Sequence, residues 1–121
     1  MILVTANQAR QLLFLGYIGT VTREELRQCR ADLEAELAHL KPGFQLLVDL
    51  THLAAMSTAC TDEIGRNMEM LDRCGVGLVV RVIPDPYKDI GMNILTLFHY
   101  PHHPRVITCD SMAEGARAVW L

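Results

Sequence analysis

Residues 44–71, FQLLVDLTHLAAMSTACTDEIGRNMEML, decide how the rest of the chain is read. The run 44–50 is nearly continuously apolar, Gln45 and Asp49 aside, which is the pattern of a strand covered on both faces near the centre of a sheet. Residues 51–59 read as the loop that leaves it. Cys60, Ile64, Met68 and Leu71 then recur at helical spacing until Cys74-Gly75 stops the helix. A buried strand that passes through a small-residue loop into a helix is one step of a parallel α/β alternation, and the flanking sequence repeats that step.

Upstream, residues 1–5 and 12–19 are two apolar runs separated by polar positions, the spacing of an initial hairpin. Thr22 and Glu25 form a capping box, and Leu26, Cys29, Leu33, Leu37 and Leu40 follow at helical spacing up to Lys41-Pro42-Gly43. Gln28, Arg30, Asp32, Glu34 and Glu36 fall on the other side and read as a solvated face. Downstream, residues 77–83 are a second buried strand, Pro84-Asp85-Pro86 ends it, and a helix is expected from Tyr87 to about Phe98. Arg105–Cys109 is a short strand, and Ser111 with Glu114 opens a last helix through Trp120. The expected fold class is a single α/β domain over residues 1–121, with a mixed, mostly parallel sheet of about five strands, four helices and the order ββαβαβαβα.

Composition narrows the function classes. A chain of 121 residues with 50% apolar and 21% charged positions has the core of one folded domain, not of a disordered tail or a two-domain enzyme. Lys and Arg number 11 against 14 Asp and Glu, a formal charge of -3, so no basic footprint for nucleic acid is expected. The opening residues are broken by Asn7, Gln8, Arg10 and Gln11, unlike a secretory leader, and no apolar run is long enough to span a membrane. Cys29, Cys60, Cys74 and Cys109 stand singly, without a CxxC pair, as small buried thiols in a reducing cytoplasm. An edge strand at either side of the sheet leaves room for a homodimer.

The segment VDLTHLAAMSTACTDEIGRNMEML, preceded by the two-stranded start and the TREEL helix, resembles the STAS domain family, the sulfate-transporter and anti-sigma-factor-antagonist domains. The resemblance spans the chain and implies a STAS-like fold and a regulatory role with a protein partner, a kinase or anti-sigma-like ATPase. In antagonists of that family the cluster after the strand reads Asp-Ser-Ser-Gly, and its second Ser is phosphorylated. Laid on this chain, the pattern puts Ser57 at the Asp, Thr58 at the first Ser, Ala59 at the phosphorylated Ser and Cys60 at the Gly. Ala59 cannot accept phosphate, so a retained switch would sit on Ser57, Thr58 or Thr61. A helix N-terminus stabilises an anion whatever the family. Simple capping of the helix by these hydroxyls is the preferred reading, because Ser and Thr are favoured caps.

Other constellations are weighed on their residues. Cys60 at a helix start with His52 in the same loop sketches a nucleophile and base, though a core-facing thiol is preferred. His99, His102 and His103, with Cys109 one strand away, carry zinc-binding groups in a spacing that matches no established ligand pattern. Asp49 and Asp85, each expected near the carboxyl end of a strand, could face one another as an acid–base pair or serve as loop caps. Gly75 and Gly77 follow a helix instead of preceding one, so no phosphate cradle and no cofactor is expected. The reading that results is a non-catalytic cytoplasmic interaction module. Its partner surface is built on Asp49, His52, Ala59, Cys60 and Asp85, with Ser57, Thr58 and Thr61 as modification candidates. The alternatives are a small-ligand or lipid-binding domain of Sec14-like arrangement, for which Met68, Met70, Met92, Leu95 and Phe98 would line a pocket, and a thiol enzyme using Cys60.

Overall fold

In the computed structural model, which describes residues 1–83 and 104–120, the apolar runs become strands β1 (Ile2–Asn7), β2 (Leu12–Val21), β3 (Gln45–Met56), β4 (Leu78–Val82) and β5 (Arg105–Cys109). Helices α1 (Arg23–Leu37), α2 (Thr61–Arg73) and α3 (Met112–Trp120) accompany them, and a short 3-10 turn, Thr58–Cys60, precedes α2. The strands lie in chain order in one sheet, with β1 antiparallel to β2 and β2 to β5 all parallel. This is the mixed, mostly parallel five-stranded sheet that the alternation of elements predicts. Three helices stand among the described residues, and the expected fourth, over 87–98, lies outside them.

Side-chain alternation divides the core between the two faces of the sheet. Leu13, Leu15 and Tyr17 of β2, Leu46, Val48 and Leu50 of β3 and Val79 of β4 turn toward α1 and α2, where they meet Leu26, Leu33, Ile64, Met68 and Leu71. Leu47, Val80, Val82 and Cys109 turn the other way and pack with Val119 of α3. The capping box at α1 forms as expected: Glu25 N–H donates to Thr22 Oγ1 at 3.2 Å and Thr22 N–H to Glu25 Oε1 at 3.3 Å. At α3, Glu114 N–H donates to Ser111 Oγ at 3.3 Å. Gly75 ends α2 with φ +88, the left-handed conformation that a glycine adopts at least cost after a helix.

Two boundaries differ from the sequence reading. α1 ends at Leu37 instead of Leu40, with His39 and Leu40 donating to carbonyls three residues back in a closing turn. More consequentially, the loop expected over 51–59 is strand as far as Met56, so Asp49 sits inside β3 and not at its end. Pairing with β2 is the reason: Ile18, Gly19, Thr20 and Val21 lie opposite His52, Leu53, Ala55 and Met56, with register shifts between Gly16 and Ile18 and between Gly19 and Thr20. Partner strand and bulges override the weak strand preference of the alanines here.

Candidate functional site

The site is assembled where β3 outruns its neighbour. Pairing between β3 and β4 stops at Asp49 and Val82, so among the described residues β3 continues past Asp49 beside β2 alone. β2 feeds directly into α1 through Thr22, while β3 feeds into α2 through 57–60. The two entrances are tied together by Cys60, whose buried thiol donates to the Val21 carbonyl at 3.6 Å and lies 3.9 Å from Ser57 Oγ. The starts of α1 and α2 therefore stand side by side at one end of the sheet.

Ser57, Thr58, Ala59 and Thr61 are all exposed around this turn. The preferred capping role is not what the structure shows. Ser57 makes no side-chain cap bond, α2 has Cys60 at its N-cap position without one, and Thr61 Oγ1 donates to the Thr58 carbonyl at 2.8 Å. The tight 3-10 turn explains this, since it satisfies the Cys60 N–H with the Ser57 carbonyl and leaves the hydroxyls outside. Asp49 Oδ1 accepts from Thr51 N–H at 2.9 Å and Thr51 Oγ1 at 2.6 Å, an arrangement internal to β3. Asp85, the other half of the suggested carboxylate pair, lies outside the described residues, as do His99, His102, His103, Met92, Leu95 and Phe98.

His52 and Cys60 do not form a couple: His52 is exposed on β3, whereas the Cys60 thiol is buried against Val21 and Ser57. All four cysteines are free, and Cys29, Cys60 and Cys109 are buried as expected while Cys74 is half-buried. Burial pushes the Cys29 thiol up to about 11 and raises Cys109 as well, the opposite of what a reactive thiolate needs. Met68 and Met70 belong to the core. Among the described residues no cluster of His, Cys, Asp and Glu could hold a metal ion, and no helix is long and apolar enough to cross a membrane.

Beside the turn stands a feature that the sequence reading missed. Glu63, on the first turn of α2, has no exposed surface and is ringed by Arg23, Arg27 and Arg30 of α1 and Arg66 of α2. Arg30 donates through Nη2 to Glu63 Oε2 and through Nε to Asn67 Oδ1 at 3.0 Å. Asn67, buried in turn, donates to the Leu26 carbonyl at 3.4 Å, which locks α2 against α1. The bond from Arg30, helped by the charges of Arg66 and Arg27, holds the Glu63 carboxyl below the usual carboxylate range against the opposing effect of burial. Arg30 thus leaves the solvated face to which its spacing assigned it. The available signal was the i, i+4, i+7 repeat of Arg23, Arg27 and Arg30 opposite the Glu63–Asn67 step on α2, readable only once α1 and α2 are known to be neighbours.

No protein-family model matches the chain, and no curated protein matches it. Solved structures do. An uncharacterised DUF3478-family protein with a SpoIIAA-like fold from Shewanella loihica superposes with a TM-score of 0.74 at 17% identity, over 98% of this chain and 92% of that one. The anti-sigma factor antagonist SpoIIAA in its unphosphorylated form gives 0.67 at 13% identity, over 99% and 98%. An anti-sigma factor antagonist from Mycobacterium paratuberculosis gives 0.61 at 15% identity, over 100% and 94%. Identities this low speak for architecture and not for activity. The chain has the SpoIIAA-like STAS fold that its strand–turn–helix segment resembles.

Proposed function

We propose that the chain is a non-catalytic regulatory module that docks a protein partner on the turn 57–61 and the start of α2, with charge on Thr58 tuning the docking. The observation that carries this reading is the turn itself. Thr58 is exposed, no hydrogen bond to its hydroxyl is formed among the described residues, and it stands next to Ala59, which takes the place of the family's phosphorylated Ser. A phosphate there would sit ahead of the positive end of α2 without disturbing the core. The Bacillus cell fate determinant SpoIIAA, solved in a phosphorylated form, shares the fold with a TM-score of 0.63 at 11% identity, which supports a modification-responsive role. A kinase-type ATPase partner is the class that such a switch would serve.

The test is capture of the tagged chain from its own cells, followed by affinity measurements on the recovered complex for Thr58→Glu and Thr58→Ala. A complex that Thr58→Glu weakens about tenfold, while Thr58→Ala leaves it intact, is the expected result, since one charge brought into a polar interface is worth about that factor. Equal affinities for the two variants would remove Thr58 as the switch.

A further inference from the structure

Four of the 11 basic residues in an acidic chain converge on the single carboxylate of Glu63. Arg30 and Asn67 occupy the inner side of this cluster. On the outer side, Arg23 Nε, Arg27 Nη2 and Arg66 Nη1 stand 3.8, 3.6 and 3.6 Å from the same oxygen, Glu63 Oε1. That oxygen receives no hydrogen bond. The three guanidiniums are thus held by charge and not by bidentate bonds to Glu63, and their side chains, 54%, 49% and 62% exposed, remain open to solvent. Besides Glu63, Glu24 stands 3.4 Å from Arg27.

The patch adjoins the turn 57–61, because Arg23 lies two residues beyond Val21, whose carbonyl holds Cys60. Guanidinium forks match carboxylates two N–H groups at a time, and three forks in one cluster suit several carboxylates in sequence. An extended polyanion such as a nucleic acid or an anionic membrane fits less well, because the chain as a whole carries -3. We infer that Arg23, Arg27 and Arg66, held in place by Glu63, Arg30 and Asn67, receive an Asp/Glu-rich segment of the protein partner. This rests on the reading that a partner docks at 57–61, and it supplies the electrostatic part of that surface.

The test follows backbone amide resonances of the whole chain during titration with a hexaglutamate peptide, a hexaglutamine peptide and inorganic phosphate at low ionic strength. Hexaglutamate should bind saturably, weaken with added salt, and shift resonances concentrated in 22–30 and 60–67. Arg23→Gln with Arg27→Gln should weaken it about tenfold, and the corresponding lysine pair, which keeps the charge without the two-pronged donor, should fall between that variant and the parent. If the glutamine pair does not fold, Arg66→Gln alone carries the test with a loss of about threefold. The inference is overturned by shifts scattered over the surface, by equal binding of hexaglutamine, or by a glutamine variant that binds as well as the parent. Phosphate binding as tightly as the peptide overturns it too, by making this a site for a single phosphoryl group. The captured complex separates the two claims. A complex sensitive to Thr58→Glu but indifferent to the arginine variants sinks this inference alone. Peptide binding beside a complex indifferent to both sets of variants sinks the docking reading at 57–61.

Discussion

Among the described residues, the two faces of the sheet are covered by different means. On one, α1 and α2 supply volume: Leu26 and Leu33 of α1 are fully buried together with Leu13, Phe44, Leu46 and Leu50. On the other, α3 has nine residues and reaches the sheet by proximity, through Gly115, where a Cβ would stand 2.6 Å from Val82 Cγ2 and 3.3 Å from Leu47 Cδ1. The first face holds by the amount of apolar surface removed from water, the second by how closely one helix can approach. The proposed docking surface is at the end of the volume-rich face, where the two helix starts meet. There the 57–61 turn can be exposed and chemically varied, because the strands beneath it are anchored farther down.

The comparison breaks most easily on the face that depends on volume. Leu33→Ala leaves a cavity among residues already packed against one another and should cost about 3–4 kcal/mol, read from the midpoint and slope of urea unfolding. A loss under about 1 kcal/mol would mean that the α1 face collapses into the void and is not the main store of stability. Gly115→Ala comes next. Alanine improves helix propensity by up to about 1 kcal/mol, but its methyl collides with Val82, and overpacking costs about 1–3 kcal/mol, so a net loss of about 1 kcal/mol is expected. Val82→Ala combined with it opens the required space, and the double variant should lose less than the sum of the two single losses. Strict additivity would show that α3 is not held by close approach.

Sequence patterns made the architecture legible because its determinants are local. The Thr22–Glu25 box, the periodicity of Leu26, Cys29, Leu33 and Leu37, and the apolar runs of β3 and β4 each carry their own reading, and the parallel crossovers follow from their alternation. The length of β3 was not legible, since Thr51, His52 and the alanines become strand only because β2 lies alongside with two bulges. At the site, the turn 57–61 could be found from its small residues ahead of a helix. That its hydroxyls do not cap α2 depends on a single 3-10 turn, which composition does not encode. Glu63 and its arginines were invisible for a stronger reason. The cluster joins residues more than thirty positions apart, and an Arg on a helix reads as solvated until the facing helix is in place.

The finest test of the contrast between the faces is a change of slope, because the α1–α2 face carries the fully covered Glu63 carboxylate. The Glu63 carboxyl is held below its ordinary value of 4.5 by Arg30 first and by Arg66 and Arg27 after it. A carboxyl depressed in the folded state contributes stability that is present above its unfolded value and is lost as pH falls through the folded one. Unfolding midpoints of the parent should therefore decline below about pH 5, and Glu63→Gln should lower the midpoint at neutral pH while flattening that acid-side decline. The effect is modest, since Arg23, Arg27 and Arg66 are about half exposed and salt screens them. Glu25, depressed mainly by its bond to the chain's amino terminus, is present in both proteins and cancels in the difference. Gly115→Ala serves as the control, for it should lower the midpoint by a similar amount at every pH. Were Glu63→Gln to behave like Gly115→Ala, with no change of slope, the charge of Glu63 among its arginines would contribute nothing to folding.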